Sequence, residues 1–469
     1  MFESLIEARP SLRQKEWFAK PMYAFVHFGM NTFTGREWGD GSESEILFDP
    51  SDFDPDQWAR VFKDVGMRGL ILTCKHHDGF CLWPTATTEH SVKNSPYKDG
   101  NGDIVKEVME ACRRYDLEFG FYLSPWDRNA DCYGSEAYND FYCEQLTELL
   151  TNYGDIFMVW FDGACGEGPN GLVQEYDFPR YVELVRKYQK NAVIFSDLGP
   201  DIHWIGNEAG KSRYSEWSVV PGELACLHDE VRNTELGIKA MDNHNAKKHL
   251  EAANDDSAEF SFYHLNDADP DLGLAEMILH SKKPVFCPSE TDFSMKPGWF
   301  YHEEEEAHSV DHLLKVYLHS VGNNSALNLN IPPNKEGKLA EKDVKRLYEF
   351  KERLDQEFSK LAISGKDYRE ESYSIGVGKY QWIRDLEFNE KKKIGYIVLE
   401  EDLDYGQKVA SFTIQTRTGN GEYFPIYNGT TIGNKKIIDL NGQEIDNLRI
   451  FVKMSRGEVK IKSCLVYLK

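Results

Sequence analysis

Residues 158–168 read MVWFDGACGEG: an apolar run stops at one carboxylate, Asp162, and glycine-rich chain follows. A carboxylate fixed at the end of a rigid buried strand can serve as nucleophile, base or metal ligand. Asp162 has company. Other apolar runs end on His27, on His76, His77 and Asp78, on Tyr122, on Asp197 and on Glu290, and a Glu37-Trp38 pair follows the first run. If these run ends converge, they form a mouth lined with imidazoles, a phenol and carboxylates, suited to a substrate rich in hydroxyls. Two chemistries compete for such a lining: a metal centre of histidines and carboxylates, or a metal-free carboxylate pair that cuts a glycosidic bond.

The metal reading rests on KHHDGF, residues 75–80. Neighbouring residues on a strand point to opposite faces, so His76 and His77 share one ion only where the strand has already broken into a turn. The chain has no HxH or HExxH pair that would place two imidazoles on one side. The spacing therefore favours the carboxylate pair, with no metal and no cofactor expected.

The elements that must position these residues follow from the apolar periodicity. Runs at 23–29, 70–77, 118–124, 156–162, 192–197, 284–290 and 326–333 are nearly continuous, as buried parallel strands are. Between the first two, DPDQWARVFKDVG predicts a helix capped by Asp54, with Pro55 in its first turn and Trp58, Val61, Phe62 and Val65 on one face. DIVKEVMEACRRYD and residues 136–150 repeat the helical pattern. Alternating βα units predict an α/β fold: a (β/α)8-like barrel whose chemistry sits at the C-terminal ends of its strands. After a charged helix at 341–361 the period changes. Short strands at 394–399, 409–416, 435–440, 448–454 and 459–468, parted by NG, GNG and RG turns, predict a C-terminal β-sandwich. The expected division is residues 1–361 for the catalytic barrel and 362–469 for the sandwich.

Composition narrows the partners. A formal charge of −24 on 469 residues repels phosphate backbones and anionic lipid, so nucleic acid is not expected as a partner. Nine cysteines without CxxC pairs indicate neither a zinc module nor a disulfide scaffold. No run of about 18 apolar residues occurs, so no membrane insertion is expected. The compartment stays open, because a removed leader would leave the same sequence.

HFGMNTFTGREWGDG, KHHDGFCLW, FYLSPWDRN, VWFDGACGEG, GPDIHWIGNEAG, MKPGWFYH and LNLNIPP, in this order, resemble the α-L-fucosidases of glycoside hydrolase family 29 over about residues 17–335. The GNE form of the fifth motif is most similar to the subgroup that prefers α-1,3- and α-1,4-linked fucose on branched glycans. The resemblance implies a retaining exo-glycosidase whose substrate is a fucosylated oligosaccharide or glycoconjugate. It places the nucleophile at Asp162 and the general acid/base at Glu208, with Glu37, Glu167, Glu216 and Glu290 as competitors for the second role. It assigns the grip on the sugar to His27, Glu37, Trp38, His76, His77 and Tyr122, a wall to Trp160, and an aromatic beside the C6 methyl to Trp299. His203 stands where relatives often place Arg. Two alternatives remain: a non-catalytic fucose-binding protein, or the same mechanism acting on L-galactosides.

Two features carry no expected function. HEEEE at 302–306 reads as the solvated start of a helix, and NNS and NGT at Asn323 and Asn428 read as turns.

Overall fold

The computed structural model describes residues 8–197, 199–225, 227–228, 273, 278, 281, 283–363, 368–376, 379–419 and 421–469. Eight strands form one all-parallel sheet: β1 Met22–Val26, β2 Gly69–Lys75, β3 Glu118–Leu123, β4 Met158–Trp160, β5 Val193–Phe195, β6 His203–Trp204, β7 Ser289–Ser294 and β8 Ala326–Asn330. Their spatial order is β5-β4-β3-β2-β1-β8-β7-β6, which is the chain order wrapped into a ring. A single parallel bridge, Phe195 to Ile202, links the two end strands, so the ring is nearly closed. This is the (β/α)8-like barrel anticipated from the apolar runs.

Strand parity divides the core. Ala24, Val26, Leu70, Leu72, Phe121, Val159 and Ile194 face the surrounding helices. Tyr23, Phe25, Ile71, Tyr122, Met158, Trp160, Val193 and Phe195, each one residue out of step, pack together inside the barrel. Continued past the strand ends, the inner parity reaches His27 from Phe25 and Asp162 from Trp160. The helices close the outside. Pro55–Asp64 starts where Asp54 Oδ1 accepts from the Gln57 N–H at 3.0 Å, and it buries Trp58, Val61 and Phe62. Ile104–Arg114, Glu136–Asn152, Phe178–Tyr188, Val310–His319 and Glu341–Glu357 follow in turn.

The elements depart from the apolar pattern in three places. β6 is only two residues long and lies inside GPDIHWIG, so it has no apolar run to announce it. Residues 284–290 are not one strand: Val285–Phe286 pairs antiparallel with Val219–Val220, and β7 begins at Ser289. Glu290 therefore stands near the start of its strand, not at its mouth. The last helix ends at Glu357, and Leu361–Ile363 is already a strand.

Every strand from Leu361 onward belongs to a second, antiparallel sheet. Two long strands organise it, Lys379–Glu401 and Lys436–Ser455, the second joining two segments that the sequence separates. Register shifts between Glu387 and Lys392 and between Ile394 and Tyr396 bend the pairing. Trp382 and Leu386 before the bend share one core with Ile397 and Leu399 after it.

Candidate active site

The C-terminal mouth of the barrel holds a cavity of about 150 Å³. All ten residues singled out by sequence, His27, Glu37, Trp38, His76, His77, Tyr122, Trp160, Asp162, Glu208 and Trp299, line it, together with Phe25, Ala164 and Asp292. A larger cleft, about 410 Å³, lies at the opposite end, where Met22 opens β1 and Tyr467 belongs to the C-terminal sheet. In a parallel barrel the converging strand ends and loops that can carry chemistry are at the C-terminal mouth, so the smaller cavity is the site.

Asp162 follows β4 by two residues. Its Oδ2 accepts a 2.7 Å hydrogen bond from the Tyr122 hydroxyl, and its Oδ1 accepts one from the Ala164 N–H at 2.7 Å. His77 Nε2 stands 3.8 Å from Oδ2. Gly163 is required for a reason not visible in sequence: a Cβ there would lie 2.1 Å from Asp197 Oδ2. The residue makes room for a second carboxylate behind the turn.

Glu208 arrives on the loop after β6. Asn207 Oδ1 accepts from the Ala209 N–H at 3.0 Å, and Gly210 turns the chain with φ +68°. Trp299 Nε1 donates to Glu208 Oε2 at 3.2 Å. The side chain reaches solvent, yet surrounding protein desolvates the carboxyl and raises its pKa; the charges of Asp162 and Glu37 add to the rise, and the Trp299 hydrogen bond opposes it.

The three histidines are neutral groups in this cavity. Burial, the largest cause in each case, lowers His27 to about 3, His77 to about 4, and His76 well below its usual value. β2 ends at Lys75, so His76 and His77 lie beyond the strand and both face the cavity, with ring centroids 4.1 Å apart. Their partners set the tautomers. Asn330 Oδ1, which also accepts from the His27 backbone N–H, accepts from His27 Nδ1–H at 2.8 Å and leaves Nε2 as an acceptor. Ser124 gives its own proton to the Trp126 carbonyl and so accepts from His77 Nδ1–H at 2.7 Å. Asn31 Nδ2 donates to His76 Nδ1 at 3.4 Å, which places the remaining proton on His76 Nε2.

Aromatic rings frame the polar groups. Trp160 stacks on Phe195 at 4.1 Å and forms part of the floor. Trp38 is 58% exposed and meets His77 and Trp126 edge-on at the rim. Glu37 accepts from the Trp299 N–H at 2.9 Å, the Phe300 N–H at 3.4 Å and His302 Nε2 at 2.8 Å, tying the first loop to the loop after β7.

Known proteins match this chain along nearly its whole length. The sequence pattern of the family described as Alpha-L-fucosidase matches residues 5–177 and 172–356. Alpha-L-fucosidase 1 of Arabidopsis thaliana is 36% identical over 98% of this chain and 87% of its own. The chain belongs to the α-L-fucosidases of glycoside hydrolase family 29. The crystal structure of a glycoside hydrolase 29 family member from an unknown rumen bacterium superposes with TM-score 0.79 at 35% identity, covering 98% of this chain and 77% of that one. A Ruminococcus gnavus GH29 fucosidase in complex with fucose superposes with TM-score 0.77 at 26% identity, covering 98% and 95%. This α-L-fucosidase is a glycoside hydrolase acting on fucosylated glycans, and among its described residues no helix is long and apolar enough to cross a membrane.

Within the fucosidase site the remaining carboxylates separate. Glu290 is fully buried beneath the floor, where Trp160 Nε1 donates to it at 2.7 Å, Asn328 Nδ2 at 3.1 Å, and Tyr23 through its hydroxyl; burial raises its pKa to about 7. Glu216 is buried beside Arg213, and Glu167 is exposed; neither lines the cavity. His203 also lies outside the lining, its Nδ1 against the Cys287 carbonyl at 2.8 Å. Sequence reasoning missed Asp292 and His302. Asp292 sits in SETDFS, too polar to read as a buried strand, and His302 opens HEEEE, whose charges read as a helix start. That helix begins only at Val310, and residues 302–306 are loop.

Proposed function

We propose that this fucosidase hydrolyses terminal α-L-fucose with net retention, Asp162 serving as nucleophile and Glu208 as general acid/base. The observation that carries the reading is the pairing of two differently held carboxylates in one cavity: Asp162 pinned by Tyr122 and Ala164, and Glu208 on a loop, hydrogen-bonded to the Trp299 indole. In the first step the Asp162 carboxylate forms an ester bond to the anomeric carbon. The glycosidic C–O bond breaks, and its electron pair leaves on the departing oxygen, which takes the Glu208 proton. In the second step Glu208, now a carboxylate, removes a proton from water. That water attacks the anomeric carbon, the ester breaks, and Asp162 returns to its ionised form.

The electrostatics suit this order. Asp162 contributes to holding the Glu208 proton while it is charged, and that contribution disappears once Asp162 is esterified, so Glu208 turns from acid to base as the intermediate forms. His27 Nε2 and His77 Nε2 accept from sugar hydroxyls, His76 Nε2 donates, and Glu37 and Trp38 complete the polar rim. Tyr122 orients the nucleophile. Trp160 carries the apolar face of the ring, and Trp299 lies against the C6 methyl, where the hydroxymethyl of L-galactose would meet apolar carbon.

The GNE motif around Glu208 supports a preference for α-1,3- and α-1,4-linked fucose on branched glycans. The change of period supports a catalytic unit at 1–361 and a sandwich unit at 362–469. NMR of the first product from an aryl α-L-fucoside tests the mechanism: the α-anomer appears first under retention, and initial β-anomer refutes it. Parallel digestion of α-1,2- and α-1,3/1,4-fucosylated trisaccharides tests the linkage, with equal rates contradicting the assigned preference.

A further inference from the structure

β7 runs through SETDFS with Glu290, Asp292 and Ser294 sharing one parity. Glu290 is used up beneath the floor by three donors. Asp292, one step nearer the mouth, is only 4% exposed and lines the cavity. Its Oδ1 accepts from Trp204 Nε1 at 2.7 Å, and its Oδ2 has no partner on any other described residue. A carboxyl held through one oxygen at the wall of a cavity built for a sugar can present its other oxygen to a hydroxyl.

We propose that Asp292 is a further substrate-binding residue of the fucosidase, its Oδ2 meeting a sugar hydroxyl while Trp204 holds Oδ1. The proposal rests on the reading of this cavity as the fucose site. Burial, and then the neighbouring charges of Glu290 and Glu208, hold the Asp292 carboxyl well above the usual carboxylate range, against the Trp204 hydrogen bond. In its protonated form, which burial favours, Asp292 donates through Oδ2. A donor complements the acceptors that His27 and His77 present, and a neutral group adds no charge beside Asp162 and Glu208. It stands on the Glu208 side of the barrel.

The test compares L-fucose as a competitive inhibitor of aryl α-L-fucoside hydrolysis in the parent and three variants, with thermal melting as the fold control. Asp292→Asn keeps an acceptor for Trp204 and a donor toward the sugar, so its inhibition constant stays within about threefold of the parent. Asp292→Ala loses the donor and leaves a sugar hydroxyl unpaired, weakening fucose about tenfold. Trp204→Phe removes only the anchor and weakens fucose less than Asp292→Ala does. The inference is overturned if folded Asp292→Ala binds fucose like the parent, if Asp292→Asn loses as much as Asp292→Ala, or if Trp204→Phe matches Asp292→Ala. Failure of the functional reading registers differently, as a parent that turns over no α-L-fucoside.

Discussion

The Tyr122 hydroxyl donates to Asp162 Oδ2 at 2.7 Å, and the Ala164 N–H holds the other oxygen of the same carboxylate at the same distance. Two donors from two different elements fix the carboxylate plane, so the lone pair that attacks is aimed before substrate arrives. Tyr122→Phe removes one of them. A hydrogen bond to a charged acceptor contributes about 1.5–3 kcal/mol, so kcat should fall about 10- to 100-fold with little change in melting temperature. Steady-state kinetics on an aryl fucoside checks this; an unchanged kcat would mean Ala164 alone suffices.

Trp299 acts on the acid. Its indole N–H stabilises the charged form of Glu208 and so lowers a pKa that burial raises. Removing the donor removes the lowering contribution, and Glu208 keeps its proton to higher pH. The alkaline limb of kcat/KM in Trp299→Phe should therefore lie above that of the parent, because the acid stays functional further into base. A limb displaced toward acid would contradict the contact.

The pocket wall depends on a buried pair outside the cavity. Lys75 Nζ and Asp127 Oδ2 are 2.9 Å apart with both side chains buried, and Asp127 Oδ1 also accepts from the N–H groups of Asn129 and Ala130. Asp127→Ala would strand the ammonium, at a cost of about 3–5 kcal/mol. Urea denaturation measures it, and a loss below about 1 kcal/mol would show that the Tyr138 hydroxyl, 3.4 Å from Nζ, suffices as a partner.

Leaving-group dependence separates the carboxylates. Asp162→Ala should be inactive on every fucoside, since no ester can form. Glu208→Ala should lose most activity on oligosaccharides and much less glycosylation rate on aryl fucosides, whose phenolates leave without a proton. Added azide should speed its turnover and yield a fucosyl azide of retained configuration. Parent-like hydrolysis of a Lewis-type trisaccharide by Glu208→Ala would place the acid elsewhere.

What the sequence disclosed follows from how each residue is held. His27, Tyr122 and Asp162 were legible because each closes an apolar run, and parity along a buried strand carries Phe25 to His27 and Trp160 to Asp162. Asp292 was hidden for the opposite reason. Inside the barrel, Asn328 from the adjoining strand, Tyr23 from β1 and Trp160 from β4 all donate to Glu290, so β7 needs no apolar run and reads as loop. β6 gave no signal because two residues have no period. His302 reaches Glu37 from 265 positions away, a pairing that the adjacency of β1, β8 and β7 creates.

The central claim is that Asp162 bonds covalently to the sugar. The direct measurement is peptide mapping by mass spectrometry after incubation with a 2-deoxy-2-fluoro-fucosyl fluoride, which forms the glycosyl-enzyme and slows its hydrolysis. One fucosyl adduct on Asp162, absent from Asp162→Ala, is the predicted result. An adduct on Glu208, Glu37 or Asp292, or an enzyme that turns over normal fucosides without ever being labelled, would contradict it.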